Sequence, residues 1–326
     1  MNLDRREFLQ AAAASVAVGT WAASSKAEDA KAPAAIIDTH QHLWNLTTQK
    51  LPWLAGAPEK LKKDYTNKEY QEATAGLNIK AVYMEVNVAP EQQVAEAEHV
   101  ISLAESAKHA TVAAVISGQP SSDDFEKYIR RFSVNPYIKG VRRVLHDPEI
   151  KQGTCLEKNF VGNMRLLGAL GLSFDLCMRP RELSDGVKLA QQCPDTRFIV
   201  DHCGNADPKA FLKTPGNVEP THEADPWKRD MEAFAKLPNV ICKISGIVVR
   251  APQDWSPETL APVVNFCLDT FGPDRVVFGS DWPVCLLNAE LLAWVSALQQ
   301  IVSARPAEQQ TKLWHDNAHR LYALKG

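Results

Sequence analysis

The 326-residue chain has no Cys-x-x-Cys pair, no glycine-rich phosphate loop and no excess of basic charge. Each absence closes off a class of function. Seven cysteines (Cys155, Cys177, Cys193, Cys203, Cys242, Cys267 and Cys285) are scattered singly and in odd number, which argues against a disulfide scaffold. Cys177, Cys203 and Cys242 fall inside apolar strand-like runs, where buried thiols are common. Neither GxGxxG nor a P-loop follows any strand-like run, which counts against a doubly wound nucleotide-binding sheet. With 36 basic against 39 acidic residues the net charge is −3, and nothing directs the protein to nucleic acid or an anionic membrane surface.

Long apolar runs are also missing. The only candidate is the weakly apolar stretch from Ala11 to Ala23, short of the roughly 20 residues of a membrane span. It follows Arg5-Arg6 and Phe8-Leu9 and precedes Ser25-Lys26-Ala27. Charged start, short apolar middle and small-residue end are the pattern of a cleavable signal peptide, and the twin arginine makes it the Tat type. Residues 1–27 are therefore expected to be an export signal read by the Tat translocase, with Asp4 standing where Ser or Thr is commoner. Residues 28–326 are expected to be one exported, periplasmic domain with no stable membrane association.

What the chain does have is a series of β-branched, apolar runs bounded by turn residues. They lie at 34–42, 79–87, 111–118, 138–146, 172–178, 197–204, 240–247 and 275–283. Helix-like stretches separate them, at 90–108, 121–132, 158–170, 182–193, 225–237, 256–271 and 288–304, and a last one at 306–324 closes the chain. Eight strands alternating with helices over this length predict an α/β fold, a single-domain (β/α)8 TIM barrel.

Barrel chemistry sits at the C-terminal ends of the strands. The first run, "AAIIDTHQHLWN", ends with His40 and His42, which a strand would project side by side. That spacing suits two ligands of one metal ion, and equally a polar strand rim. Later runs bring Glu85, then Arg142, Arg143 and His146, then Asp175 and Arg179, then His202, then Lys243 and Ser245, and finally Asp281 in "FGSDWP". Ionisable groups inside apolar strands are costly unless paired or liganded, so their accumulation at one end of many strands is the signal. Glu85 is open to two readings, a metal ligand or an ion-pair partner of Arg142 or Lys243. Asp281 is open to a helix-capping role. Trp44, Trp53 and Trp282 flank these turns and suit either a sugar-stacking wall or packing of the barrel top. The long stretch at 205–227, with four prolines, is the expected place of substrate choice.

"DTHQHLW" together with "FGSDWP", "LPWL", "IKGVRRVL", "RFIVDHCG" and "VICKISG" resembles the amidohydrolase superfamily. The nearer likeness is to its sugar-lactone hydrolase branch, the L-fuconolactonase and L-rhamnonolactonase type, and it covers nearly the whole mature chain. The resemblance implies attack of water on an ester-like carbonyl, with Asp281 as general base. It implies one divalent metal ion, zinc or manganese, on His40 and His42, with Asp281 touching metal and water and Glu85 a further ligand. His202 would contact substrate or water. Arg142 would bind lactone oxygens or the product carboxylate. By strand alternation His146 shares the face of Arg142 and joins it as a candidate substrate contact, as Trp44 and Trp282 do if they form the sugar-stacking wall.

The departures narrow the reading. Strand four carries arginine rather than a carboxylated lysine, and strand five ends in Cys177 and Met178 rather than histidine, which speaks against two metals and against a deaminase. Members of this branch without metal exist. The expected partner is a small lactone, in a chain that could form a homo-oligomer. Two other functions compete: a non-oxidative decarboxylase of an aromatic acid, and an exported binding protein without catalysis.

Overall fold

The computed structural model describes residues 35–212 and 219–325. The expected signal peptide lies outside them, as does part of the 205–227 stretch. Eight parallel strands follow in sequence order around one sheet. They are β1 (Ile36–Gln41), β2 (Ile79–Met84), β3 (Thr111–Ser117), β4 (Ile138–Val144), β5 (Ser173–Cys177), β6 (Arg197–Val200), β7 (Val240–Ile244) and β8 (Val276–Phe278). β8 comes back against β1 near the strand tops. Thr39 Oγ1 donates to the Phe278 carbonyl at 2.6 Å, and the His42 N–H donates to the Trp282 carbonyl at 2.8 Å. The result is a near-closed barrel with its helices outside, consistent with the predicted (β/α)8 fold.

The helices are α1 (Asn67–Ala73), α2 (Gln93–Glu105), α3 (Phe125–Phe132), α4 (Lys158–Ala169), α5 (Leu183–Gln192), α6 (Ala224–Ala235), α7 (Pro257–Phe271) and α8 (Leu291–Val302). α1 was not anticipated, although its capping box is legible. The Thr66 N–H donates to Glu69 Oε2 at 2.8 Å, as a Thr-x-x-Glu start predicts. The closing helix is not continuous. A π-helical turn over Lys312–Asp316 splits it into Ala307–Thr311 and Asn317–Leu321. The wider turn lets Trp314 pack on Phe278 while the Asn317 amide donates to the carbonyls of Pro273 and Val276.

Two apolar layers hold the fold. The larger lies between barrel and helices. The smaller fills the barrel floor with Ile37, Val82, Met84, Ala113, Val115, Ile199, Ile241 and Val277, and the C-terminal Ala318, Leu321, Tyr322 and Leu324 close it from below. Two residues further along their strands, the apolar Ile199 and Ile241 give way to Asp201 and Lys243, and the interior becomes charged. All seven cysteines are free and buried. Among the described residues no helix is long and apolar enough to cross a membrane.

Candidate active site

The charged layer starts from Lys243, which is fully buried on β7. Its Nζ lies 2.6 Å from Asp175 Oδ2 and 2.9 Å from Asp201 Oδ1. Burial alone would deprotonate the amine, but the two carboxylates reverse that and raise its pKa. Burial alone would raise Asp201, yet Lys243 and His40 hold it well below the usual carboxylate range. Asp175 takes the opposite course. Burial pushes it up to about 7, because one ammonium cannot compensate two buried carboxylates.

Arg142 reaches inward from β4. Its Nε donates to Glu85 Oε1 at 2.6 Å, and its Nη2 donates to the Glu85 carbonyl at 2.7 Å. The other Glu85 oxygen accepts from the Asn87 N–H at 2.6 Å and from Ser117 Oγ at 3.0 Å. Glu85, expected among the metal ligands, is thus placed otherwise: its carboxylate is taken up by Arg142, Ser117 and Asn87.

His40 stands at the centre, fully buried. Its Nδ1 lies 3.5 Å from Asp201 Oδ1 and 3.3 Å from Lys243 Nζ. Its Nε2 lies 3.1 Å from Arg142 Nη1 and 3.6 Å from Asp281 Oδ1. Burial lowers its pKa well below the ordinary histidine value, and Lys243 and His202 reinforce this against the pull of Asp201. His40 is therefore a neutral imidazole. The Arg142 guanidinium can only donate, so the Nε2 lone pair faces it and Nδ1–H faces Asp201.

His42 lies beside it, the ring centroids 4.8 Å apart, as the alternation predicts. Its Nδ1 meets the Met84 carbonyl at 3.0 Å, which can only accept and so holds the Nδ1 proton, and its Nε2 faces Asp281 Oδ1 at 3.5 Å. Asp281 itself is mounted on a left-handed residue, φ +58°, between Ser280 and the Trp282–Pro283 cis peptide. Its side chain faces the two histidines and caps no helix; its carbonyl accepts from the Cys285 N–H.

His202 enters from an unusual turn. His202, Cys203, Gly204 and Asn205 all have positive φ, at 53°, 52°, 67° and 54°. Non-glycine residues pay roughly 1–2 kcal/mol each for this conformation. The anchors are several. Trp227 Nε1 donates to the Cys203 carbonyl at 2.9 Å, and the Asn205 amide donates to the Met178 carbonyl at 2.8 Å. His202 Nδ1 meets Ser245 Oγ at 2.9 Å, and its ring lies 4.5 Å from that of His40. Burial lowers its pKa too. Glycine is required at two neighbouring points. A Cβ on Gly279 would stand 2.8 Å from that of His40, and one on Gly246 (φ +65°) would stand 2.3 Å from His202 Nδ1.

The other expected groups fall elsewhere. Trp44 and Trp282 are almost wholly buried. Trp44 packs edge-on against Trp53 and Tyr65, and its indole N–H donates to the Lys63 carbonyl; Trp282 is held between Tyr65 and Tyr70. They form a block beneath the β1–β2 connection, with no open face for a sugar. His146 lies two residues past the end of β4, half-buried, so the strand no longer dictates its direction. Arg179 binds Glu182 and the carbonyls of Leu145, Asp147 and Ile150.

Sequence reasoning missed Asp38 as part of this machinery. Its carboxylate accepts from the Ser280 N–H at 2.7 Å, from Tyr70 Oη at 2.8 Å, from the His40 N–H at 3.0 Å and from Ser280 Oγ. Burial raises its pKa despite these bonds. Asp201 was missed as well. An acidic residue inside each of "IIDTHQH" and "IVDHCG" was the available signal.

The donor chemistry fits a small divalent ion. Bonds of about 2.0–2.1 Å in a tetrahedron put ligand atoms about 3.3–3.5 Å apart. The Asp281–His42 and Asp281–His40 separations, 3.5 and 3.6 Å, match that. Among these residues the group whose ligand atoms all lie within 4.8 Å of one another is His40, His202 and Asp281, and His42 stands outside it, facing Asp281. His40 and His42 each meet an acceptor on the far nitrogen, Asp201 and the Met84 carbonyl. Arg142 competes for the His40 lone pair, so an ion there would displace that contact.

Comparison with known proteins identifies the family. A sequence model of the family described as Amidohydrolase matches residues 37–324. An L-fucono-1,5-lactonase from Burkholderia multivorans is 27% identical, over 88% of this chain and 96% of its own length. The structure of Amidohydrolase 2 from Bifidobacterium longum subsp. infantis is 29% identical, with a TM-score of 0.65 over 89% of this chain and 99% of that one. A zinc-bound crystal structure of an amidohydrolase from Burkholderia multivorans is 24% identical, with a TM-score of 0.77 over 90% of this chain and all of that one, a likeness of fold. The chain belongs to the amidohydrolase family.

Proposed function

We propose that the protein hydrolyses a small carbohydrate-derived lactone to its aldonic acid, with Asp281 as the general base. One observation carries the reading: the Asp281 carboxylate faces the imidazoles of His42 and His40 at 3.5 and 3.6 Å, with the Arg142 guanidinium alongside. The lactonase-named relative over most of the chain supports the substrate class.

In this reading Asp281 orients a water and takes its proton as the oxygen adds to the lactone carbonyl. His202, neutral and mounted above His40, hydrogen-bonds the attacking water or the carbonyl oxygen. Arg142 stabilises the developing oxyanion and then the product carboxylate. The ring C–O bond breaks, and the ring oxygen leaves with the proton held on Asp281. Glu85 positions Arg142, and Asp201 with Lys243 positions His40. His42 and His40, with Asp281, would hold a divalent ion such as zinc or manganese, which supplies acidification of water or polarisation of the carbonyl when bound. Trp44 and Trp282 act as packing groups behind the site. Residues 1–27 direct export by the Tat route.

The test is proton release by the purified chain from residue 28 onward on a panel of aldono-1,4- and 1,5-lactones, with and without chelator. Release from a member of the panel supports the assignment, and chelator sensitivity reversed by zinc or manganese supports the metal role of His40 and His42. No release from any lactone overturns it.

A further inference from the structure

Outside the active site, three thiols from three separate elements converge. Cys203 comes from the left-handed turn after β6, Cys242 from β7 and Cys267 from α7. All three are fully buried and free, and their Sγ atoms lie within 4.8 Å of one another. The positive φ of Cys203 is what turns its sulfur inward, 3.7 Å from the Lys243 carbonyl. The ring of donors is sulfur alone. Three sulfurs around one ion with bonds of about 2.3 Å stand about 4 Å apart, within the observed spacing.

We propose that Cys203, Cys242 and Cys267 form a binding site for a soft, thiophilic metal ion such as cadmium(II) or copper(I). Thiolate donors select such ions over those preferring oxygen or nitrogen. Each thiol that binds releases its proton to solvent as the sulfur–metal bond forms, with no change of oxidation state. A divalent ion leaves the smaller residual charge in this apolar wall, so cadmium(II) is the better probe. Entry to so buried a site requires the strained His202–Asn205 turn to open, and loading is accordingly slow.

The experiment is anaerobic titration of the reduced full-length chain with cadmium(II), followed by the ultraviolet sulfur-to-cadmium charge-transfer band. This band does not report the histidine–carboxylate site, which has no sulfur. The expected result is one equivalent by this band, with affinity at least tenfold weaker in C203A, C242A and C267A and unchanged in C155A. Cys177 lies near Asp201 and His202 with ligand atoms in similar reach, so C177A is a required control and must keep the band. Should the triad variants fold poorly, cadmium-edge X-ray absorption of the unmutated protein reads the ligands directly, and three sulfur neighbours are expected. No band, a band retained in all three triad variants, a band lost in C177A, or a cadmium edge without sulfur neighbours overturns the proposal.

Discussion

Asp38 Oδ1 accepts the backbone N–H of Ser280 at 2.7 Å, so a carboxylate on the first strand holds the turn that carries Asp281 past the last. The same carboxylate takes the His40 N–H and the Tyr70 hydroxyl. One buried side chain therefore sets the spacing between the base and the histidine pair.

That dependence predicts the behaviour of Asp38→Asn. The amide brings N–H donors where the site supplies only donors. Stability falls by about 1–3 kcal/mol, and kcat falls at least about tenfold. Tyr70→Phe removes one bond of the set and costs about 0.5–1.5 kcal/mol. Chemical denaturation and steady-state kinetics on the two variants check the order; equal effects contradict it.

Glu85 and Arg142 make a buried ion pair. Glu85→Gln removes the nearer of the two counter-charges of the guanidinium, Asp201 at 3.7 Å being the other, and a loss toward the lower end of about 3–5 kcal/mol is expected. Metal content of the metal-loaded protein is expected to stay the same. A variant that keeps its stability and loses metal shows Glu85 to be a ligand instead.

Asp175 gives a signed pH dependence. Its carboxyl is pushed up to about 7 in the fold, from 3.8. A raised carboxyl contributes stability that is full below the unfolded value and lost as pH rises through the folded one. Asp175→Asn removes that contribution. The wild-type chain is expected to lose stability relative to the variant between about pH 4 and pH 7, by on the order of a few kcal/mol, with no further change above. Paired denaturation curves across that range read it, and a difference that grows in the opposite direction contradicts it.

Gly246→Ala probes the His202 turn. The new methyl would stand 2.3 Å from His202 Nδ1 on a residue with φ +65°. Stability falls by about 1–2 kcal/mol for the backbone alone. Turnover falls further, because His202 is pushed off its Ser245 contact. Unchanged kcat in a folded variant shows that His202 takes no part.

The strands were legible because buried parallel strands read as continuous apolar runs. Their C-terminal limits were not. "RFIVDHCG" reads as one strand, yet β6 stops at Val200, and a left-handed turn begins at His202. Hydrophobic pattern reports burial, and a buried turn beneath a site is as apolar as a strand. The convergence of His40, His42, Arg142 and Asp281 followed from strand order, since ordered strands bring their ends to one rim. The pairing of Glu85 with Arg142 rather than with an ion did not. Side-chain reach decides it, and reach depends on barrel tilt, which no spacing encodes. Trp44 and Trp282 show the same limit, because Tyr65 and Tyr70, which enclose them, come from the unanticipated α1 and the segment before it.

The most direct test of the central claim compares wild-type and Asp281→Asn chains side by side on a lactone that the wild type turns over. Proton release gives turnover, and calorimetry gives binding of the same lactone. The account predicts that turnover falls by about 10²–10⁴ while affinity stays within a few-fold. Turnover that survives the substitution contradicts the assignment of Asp281 as the base.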